Sequence, residues 1–209
     1  DYDTGEYLFA ENAFVPVAPA SMSKLMTVYV LFSKLKDGTL SLEDVFSVSE
    51  NAWRTGGAAS GSSTMFLPIG SKVTVENLIK GIIIQSGNDA CIVAAENIAG
   101  SEEDFAELMN AKAKELGLKN SHFVNSTGLP HPDHRMSAED LARLAQALIR
   151  DFPEYYSVFS QKSFTYNNIL QGNRNPLLYS MPDADGLKTG HTAEAGFCLT
   201  ASVKRGDRR

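Results

Sequence analysis

The sequence has little of what marks several protein classes. Its 209 residues include only two cysteines and one tryptophan, and no cluster of Lys and Arg is present. The longest apolar runs, such as residues 78–84, are interrupted and fall far short of the ~20 residues that cross a bilayer. The net charge is -6 and the pI is near 5.2. Because neutralising phosphates needs clustered cations, a nucleic-acid partner is not expected, and nothing in the chain is expected to span a membrane.

The composition that is present suits a globular domain. Hydrophobic residues make up 43% and charged residues 21% of the chain, which is enough to form a core. Cys91 and Cys198 lie in apolar stretches typical of buried free thiols, so they do not define a redox compartment. The chain opens in a turn pattern at residues 1–5 without a signal peptide, so localisation cannot be inferred from this end.

Helical patterns fill the middle of the chain. The predicted helices are residues 22–36, 75–85, 88–98, 101–115 and 137–150. The first should begin close to Ser21, and because its apolar residues cover more than one face, it should be buried and central. Ser101 and Ser137 are predicted N-caps, and Pro153 should close the last helix.

Strand patterns lie toward both ends. They are residues 6–10, 164–166, 186–192 and 196–204, with a turn at Arg205-Gly206-Asp207. Strands at both ends of a helical middle predict an α+β fold in which one antiparallel β-sheet is flanked by helices. The Ser- and Gly-rich residues 39–74 are expected to form an irregular surface excursion.

Ser21 and Lys24 form an S-x-x-K pair at the predicted start of the buried helix, one turn apart on the same side. A serine hydroxyl needs an adjacent base, whereas an ordinary lysine, with a pKa of about 10.4, is already protonated. Burial and the positive end of the helix dipole both disfavour the ammonium form. The pair therefore predicts a serine nucleophile with a lysine base, although Ser33 and Lys36 show the same spacing inside the helix.

Ser86-Gly87-Asn88 gives S-x-N between two predicted helices, where the glycine allows a tight turn that aims both polar side chains at one point. The alternative is that Ser86 and Asn88 are helix caps, which is their usual role between helices. Ser49 and Asn51 repeat the pattern elsewhere. The functional interpretation therefore needs a third element.

Lys188-Thr189-Gly190 supplies that element on a predicted strand, followed by His191 and Thr192. Lys188, Thr189 and Thr192 are expected to hold a carboxylate, and Gly190 to admit a substrate backbone to the strand edge. The alternatives are an exposed sheet cation for Lys188 and a partly buried sheet residue for His191. S-x-x-K, S-D-N and K-T-G together are the signature set of penicillin-binding proteins and class A β-lactamases.

The chain resembles the type-5 D-alanyl-D-alanine carboxypeptidases, which are low-mass penicillin-binding proteins. The matching stretches are residues 3–6, 19–27, 85–90, 122–125, 128–129 and 185–192. The resemblance implies a β-lactamase/transpeptidase-like fold with a helical subdomain. It also implies that residues 1–209 are a single penicillin-binding catalytic domain, truncated at both ends and lacking the family's C-terminal β domain and membrane anchor.

The implied activity is removal of the terminal D-alanine from peptidoglycan stem peptides through an acyl-enzyme, with acylation and inhibition by β-lactams. Ser21 would be the nucleophile, Lys24 its proton acceptor, and Ser86 and Asn88 the second wall of the cleft. The implied substrate contacts are Lys188, Thr189, Gly190, His191 and Thr192, with the backbone N–H groups of Ser21 and His191 as the oxyanion hole. No metal or cofactor is implied, the membrane would be contacted only through the anchor, and the expected location is extracytoplasmic.

Two departures from the wider signature keep other readings open. Gly87 stands where β-lactamases usually have Asp, and no E-x-x-L-N occurs between Ser86 and Lys188. A class A-like β-lactamase is disfavoured by the missing glutamate, and a non-catalytic penicillin sensor is the remaining alternative. The integrin-type tripeptide Arg205-Gly206-Asp207 is interpreted as a plain turn.

Overall fold

The computed structural model describes all 209 residues and places helices at the centre of the molecule, with short antiparallel sheets around them. The helices are α1 Lys24–Lys36, α2 Val75–Lys80, α3 Asn88–Ala99, α4 Glu102–Glu115, α5 Ala138–Asp151, α6 Pro153–Tyr156 and α7 Leu177–Ser180. The strands are β1 Val45–Ser47, β2 Lys72–Thr74, β3 Ser163–Tyr166, β4 Ile169–Gly172, β5 Ala184–Thr192 and β6 Gly196–Val203. The α+β class is confirmed.

Helix α1 is the centre of the core, as its sequence predicts. Ten of its 13 residues are buried, and the helix packs against α4 and α5. Full burial of a side chain such as Phe32, which is 1% exposed, stabilises the fold by about 2 kcal/mol relative to exposure. One connected core of 41 buried residues includes side chains from α1 through α6. The start of α1 is therefore held rigidly in the interior.

The helix boundaries agree closely with the sequence patterns. Ser101 and Ser137 cap α4 and α5 by accepting hydrogen bonds from the N–H groups of Asp104 and Asp140. Pro153 ends α5 but also opens the short α6, because a proline fits the first turn of a helix. Between α2 and α3 the chain widens into a π-helical turn, Gly81–Gln85, before the predicted break at Ser86. This break sets the position of the S-x-N residues.

The strands form three two-stranded antiparallel sheets rather than the single sheet that was predicted. β1 pairs with β2, β3 with β4, and β5 with β6, the last in a register that places Gly190 opposite Cys198. Strand β4 and helix α7 were not predicted. The predicted turn at residues 205–207 is confirmed by paired backbone hydrogen bonds between Arg205 and Arg208.

The predicted strand at residues 6–10 is wrong. These residues are exposed and pair with no strand. The backbone N–H and carbonyl of Glu6, the first residue of the segment, already bond to residues nearby in the sequence. The Glu6 N–H donates to Thr4 Oγ1 (3.2 Å), and the Glu6 carbonyl accepts from the amino group of Asp1 (2.9 Å). A β-strand needs a neighbouring strand that completes its backbone hydrogen bonds, and a turn followed by a short apolar run does not specify such a neighbour.

Residues 39–74 are more ordered than a surface excursion. They contain β1, β2 and two helical turns, Ala52–Gly56 and Ala58–Ser60, and their Ala52 and Met65 side chains are fully buried. The prediction of a surface excursion was wrong. Backbone N–H groups of this irregular segment donate to side chains elsewhere in the fold, and such hydrogen bonds leave no periodic pattern in the sequence. No helix in the structure is long and apolar enough to cross a membrane.

Candidate active site

The nucleophile candidate sits on a tight 3-10 turn, Ala20–Ser23, which leads directly into α1. Ala20 has a φ of +49°, a left-handed conformation that is uncommon for a residue other than glycine. Such strained positions are concentrated at functional sites, where the surrounding fold holds them in place. The turn leaves Ser21 partly exposed, while Lys24, one turn later, is fully buried.

The Ser21 and Lys24 side chains are in contact, as the S-x-x-K spacing predicts. Lys24 Nζ lies 2.9 Å from Ser21 Oγ and donates to the carbonyl oxygen of Thr127 at 2.6 Å. Burial lowers the pKa of Lys24 from its ordinary value to about 8, and the nearby guanidinium of Arg174 also lowers it. With this pKa, about a tenth of the Lys24 amine is neutral at pH 7, far more than for an exposed lysine.

The loop that carries Thr127 is fixed from several sides. Asn125 Oδ1 accepts hydrogen bonds from the N–H groups of Thr127 (3.2 Å) and Gly128 (2.7 Å). The neighbouring Ser126 carbonyl accepts from the Thr27 hydroxyl at 2.6 Å. Gly128 has a φ of +80°, and a Cβ there would lie 1.9 Å from the Ala20 carbonyl oxygen. Only glycine allows this loop to pack on the nucleophile turn.

Ser86 lies in the break between two helical segments and faces the third motif. It has a φ of +64°, and its hydroxyl accepts a hydrogen bond from Lys188 Nζ at 2.9 Å. The N-cap of α3 is Gly87, with no side-chain capping bond. The backbone of Ser86 is the left-handed C-cap of the π-helical turn Gly81–Gln85, so the helix-cap alternative is confirmed for Ser86, although neither Ser86 nor Asn88 caps α3 with its side chain. The Ser86 hydroxyl instead joins the second motif directly to the third.

Asn88 connects the start of α3 to the Ser- and Gly-rich segment. Its Nδ2 donates to Ser62 Oγ at 2.9 Å, and its backbone N–H donates to the Ser63 carbonyl at 2.7 Å. Asn88 Oδ1 is buried and has no hydrogen-bond partner in the protein. An unsatisfied amide oxygen of this kind is an acceptor available to a bound ligand.

Lys188 is buried, so the alternative of an exposed sheet cation is wrong. Its Nζ contacts Ser86 Oγ and the Thr189 carbonyl oxygen, both at 2.9 Å. Burial lowers the pKa of Lys188 well below its ordinary value, and the charges of Lys24 and Arg174 act in the same direction. The side chain completes a continuous polar line from strand β5 to the S-x-N turn.

The remaining β5 positions differ in their surroundings. A Cβ on Gly190 would lie 3.1 Å from the Ser21 nitrogen, so glycine lets the strand pass close to the nucleophile turn. Thr189 is partly buried. Thr192 Oγ1 accepts from the Ala195 N–H at 3.0 Å in the hairpin turn. His191 is exposed rather than partly buried, and its ring packs on Phe197 with 4.3 Å between the ring centroids.

The competing motif matches are engaged elsewhere. Ser33 Oγ donates to the Tyr29 carbonyl, and Lys36 Nζ donates to the Asp151 carbonyl, so these two side chains do not face each other. The side chains of the second S-x-N match also make structural hydrogen bonds away from the cleft, since Ser49 and Asn51 both donate to the Glu96 carboxylate. Only one copy of each motif belongs to the common cleft.

The sequence patterns did not predict two residues that contact the cleft. Arg174, which follows β4, donates to Ser63 Oγ at 2.6 Å, and Asp89 anchors the same segment from α3. No pattern marks Arg174, although the Gly-Ser run marks the segment that it contacts. Both cysteines are free; burial raises the pKa of the Cys91 thiol to about 12, which makes it a poor nucleophile. No group of metal-ligating side chains is present.

The three motifs thus meet in one cleft of a penicillin-binding-protein-like fold. A family model for D-alanyl-D-alanine carboxypeptidases of the peptidase S11 type matches residues 1–209. The chain belongs to this family.

Similarity to individual relatives extends over the whole chain. It is 49% identical over 211 residues to the D-alanyl-D-alanine carboxypeptidase DacC of Escherichia coli, a match that covers 100% of this chain and 53% of the relative. It is 42% identical to DacF of Bacillus subtilis, covering 99% of this chain and 53% of that protein. The chain therefore spans about half the length of the curated relatives it matches.

Solved structures agree on the fold. The structure matches penicillin binding protein 5 from Haemophilus influenzae with a TM-score of 0.95 and 42% identity, covering 100% of this chain and 60% of the other. It matches the DD-transpeptidase of Streptomyces K15 with a TM-score of 0.90 and 27% identity, covering 99% and 83%. The β-lactamase/transpeptidase-like fold class is thereby confirmed.

Proposed function

We propose that residues 1–209 form a single penicillin-binding catalytic domain that acts as a serine-type D-alanyl-D-alanine carboxypeptidase. The observation that carries the proposal is the buried Lys24 amine 2.9 Å from Ser21 Oγ, with its pKa lowered to about 8. Membership of the carboxypeptidase family supports the substrate class. The proposed substrate is a peptidoglycan stem peptide ending in D-Ala-D-Ala.

Acylation would begin with attack of Ser21 Oγ on the carbonyl carbon of the penultimate D-alanine. Lys24 accepts the hydroxyl proton as the new C–O bond forms, and the C–N bond to the terminal D-alanine then breaks. The leaving nitrogen takes up a proton, so free D-alanine departs and an ester remains on Ser21. The Thr127 carbonyl contributes by fixing one N–H of Lys24, which orients the amine toward Ser21.

Charge on the tetrahedral intermediate needs nearby donors. The backbone N–H groups of Ser21 and His191 are the proposed oxyanion hole, and Gly190 allows β5 to come close enough to Ser21 to form it. Losing one such donor typically costs about 3 kcal/mol of barrier. Lys188, Thr189 and Thr192 are the proposed contacts for the terminal carboxylate, whose arrival would favour the ammonium form of Lys188.

Deacylation completes the cycle when water attacks the Ser21 ester and releases the shortened peptide. The D-alanyl ester is small, which leaves room for a water that Lys24 or Ser86 helps to position. A penicilloyl ester is bulkier, and no E-x-x-L-N glutamate is available to activate water against it. β-Lactams are therefore proposed to acylate Ser21 and inhibit the enzyme.

The proposed location is extracytoplasmic, in the periplasm or at the outer face of the bacterial inner membrane, because that is where peptidoglycan stem peptides are found. The proposed partners are the stem peptide and β-lactams. No nucleic-acid partner and no metal or organic cofactor is part of the proposal.

Two assays on the same preparation test the function. One measures free D-alanine released from a D-Ala-D-Ala peptide, and the other follows loss of labelled penicillin from the protein after a chase. Peptide turnover, together with a penicilloyl adduct that is lost only over minutes or longer, supports a carboxypeptidase. Clearance within milliseconds would instead indicate a β-lactamase, and a persistent adduct without peptide turnover would indicate a sensor.

A further inference from the structure

Asp89, the residue after the S-x-N turn, is a fully buried carboxylate surrounded by neutral hydrogen-bond donors. Its Oδ1 accepts from the N–H groups of Met65 and Ala90, both at 2.9 Å. Its Oδ2 accepts from Thr64 Oγ1 at 2.6 Å and from the Leu67 N–H at 3.0 Å. Because the three backbone N–H groups can only donate, both Asp89 oxygens act as hydrogen-bond acceptors here.

Three of these four donors belong to one segment, residues 62–67, which we call the wall segment. The same segment supplies the oxygens that receive Asn88, since Asn88 donates to Ser62 Oγ at 2.9 Å and to the Ser63 carbonyl at 2.7 Å. Asp89 therefore holds the far end of the segment while Asn88 contacts its near end. The two consecutive side chains of α3 fasten one irregular stretch of backbone at both ends.

The wall segment has a conformation that needs such fastening. Phe66 has a φ of +65°, which is rare for a residue with a side chain. A conformation of this kind persists only when surrounding contacts determine it. The Asp89 carboxylate bonds to the N–H groups of Met65 and Leu67, the residues on either side of Phe66.

The hydrogen bond between Asp89 and Met65 also restricts which residue can occupy position 87 of the S-x-N motif. A Cβ at this position would lie 2.9 Å from Asp89 Oδ1 and 3.0 Å from the Met65 nitrogen, the two atoms that form the anchoring bond. Its φ of −62° is accessible to any residue, so the backbone does not require glycine there. The glycine is needed because the bond between Asp89 and Met65 occupies the space of a side chain.

We propose that Asp89 is a positioning residue for the cleft: by clamping the wall segment onto the start of α3, it fixes the placement of Ser62 and Asn88 opposite the nucleophile turn. Asp89 does not touch the reacting atoms and acts through Asn88 and the wall segment. This proposal rests on the proposed function only in assuming that the cleft around Ser21 is the acylation site.

The first test compares Asp89→Asn with Glu96→Gln. Glu96 is a matched control because it also lies on α3 and uses its carboxylate to hold another loop, through Ser49 and Asn51. In Asp89→Asn, the rate constant of penicillin acylation should fall about tenfold to a hundredfold, since misplacement by about 1 Å can have an effect of that size. Glu96→Gln should acylate within about twofold of the parent.

Hydrogen exchange of backbone amides supplies a readout independent of activity. Protection of the Met65 and Leu67 amides should fall at least about tenfold in Asp89→Asn and stay at the parent level in Glu96→Gln. Gly87→Ala should reproduce both effects while leaving the carboxylate in place. Unchanged protection in Asp89→Asn, or unchanged acylation despite lost protection, would overturn the proposal.

A double-mutant cycle separates positioning from a general loss of stability. Ser62→Ala should slow acylation severalfold in the parent, but by less than about twofold in the Asp89→Asn background, because the wall segment is already displaced there. Full additivity of the two changes would overturn the proposal. If the parent shows neither acylation nor D-alanine release, the proposed function fails, and the exchange data still decide whether Asp89 holds the wall segment.

Discussion

The amine of Lys24 lies 2.9 Å from the hydroxyl oxygen of Ser21, in an interior site that excludes water from the amine but leaves the serine accessible. The relationship depends on where α1 begins. Because the 3-10 turn precedes the helix, Ser21 stays at the surface of the cleft while Lys24 enters the core. Burial then gives the lysine the lowered pKa that a base requires.

The acylation rate should follow the ionisation of Lys24. Only the neutral amine accepts a proton, so the rate constant for penicillin acylation should rise about tenfold per pH unit below 8 and level off above it, since the pKa of Lys24 is about 8. Stopped-flow measurement of acylation between about pH 5.5 and 9.5 checks this. A flat profile would contradict the role of Lys24.

Replacing Lys24 with arginine should abolish acylation while the fold is kept, because a guanidinium is not deprotonated in the working range. Lys36→Arg is the matched control, since Lys36 belongs to the second S-x-x-K match and donates only to the Asp151 carbonyl. Intact-mass analysis after incubation with penicillin distinguishes the two. Acylation of Lys24→Arg at the parent rate would remove Lys24 as the base.

Gly128→Ala should disturb the nucleophile turn. The new Cβ would collide with the Ala20 carbonyl, and the φ of +80° adds about 1 kcal/mol of backbone strain. Gly100→Ala isolates the strain, because Gly100 has a φ of +90° with no atom within 4 Å of a built Cβ. Thermal unfolding should show a loss in both variants, whereas slow acylation should appear only in Gly128→Ala. Equal acylation of both variants would show that the loop does not position Ser21.

How much the sequence could predict depends on the range of the interaction. The buried α1, the capped α4 and α5, and the S-x-x-K contact follow from local periodicity and caps, which operate over a few residues. The resemblance implied that Lys188 and Ser86 belong to one cleft, but their direct hydrogen bond was not predicted because it has no local signature. Arg174 and Asp89 were missed because their roles come from hydrogen bonds to an irregular segment, which leave no periodic trace.

The errors in the strand predictions have a related cause. A turn followed by a short apolar run indicates a strand but does not specify a partner strand, so a strand at residues 6–10 and a single continuous sheet were predicted where the structure has neither. Strands β5 and β6 were predicted correctly because the connection between them is short, and pairing in a hairpin is nearly local. Sheet topology beyond hairpins depends on contacts between residues far apart in sequence.

His134 should make folding stability depend on pH. Its Nδ1 accepts from the Val124 N–H (3.3 Å), so Nε2 carries the proton and donates to Ser23 Oγ at 2.7 Å. Burial lowers the pKa of His134 from 6.5 to about 4. Because the unfolded chain binds the proton more readily, the stabilising contribution is complete above pH 6.5 and is lost as the pH falls toward 4, by about 3 kcal/mol.

Denaturant unfolding of the parent and His134→Gln at about pH 7, 5.5 and 4.5 measures this contribution. The parent should lose more stability than the variant across this range, because only the parent has to protonate a buried imidazole. His131→Gln, which changes an exposed histidine near the same loop, serves as the control. Parallel pH dependence of the parent and His134→Gln would contradict the assignment.

Terminal carboxylate recognition should depend on β5. Amidating the C-terminus of a D-Ala-D-Ala peptide should lower kcat/KM about a hundredfold, or about 3 kcal/mol for a charge-assisted contact. In Lys188→Ala the difference between acid and amide should shrink, although overall activity also falls as Ser86 loses its partner. Lys204→Ala, at an exposed lysine after β6, should keep the full difference. Equal turnover of acid and amide by the parent would remove this role from Lys188.

The most direct test of the account is to map the covalent adduct formed with penicillin. Intact mass should increase by one drug equivalent, and peptide mapping should place the addition on Ser21, the residue in contact with the buried Lys24 amine. Ser21→Ala should show no adduct, while Ser33→Ala, in the second S-x-x-K match, should be labelled like the parent. An adduct that persists at the parent level in Ser21→Ala, or that maps to another residue, would contradict the account.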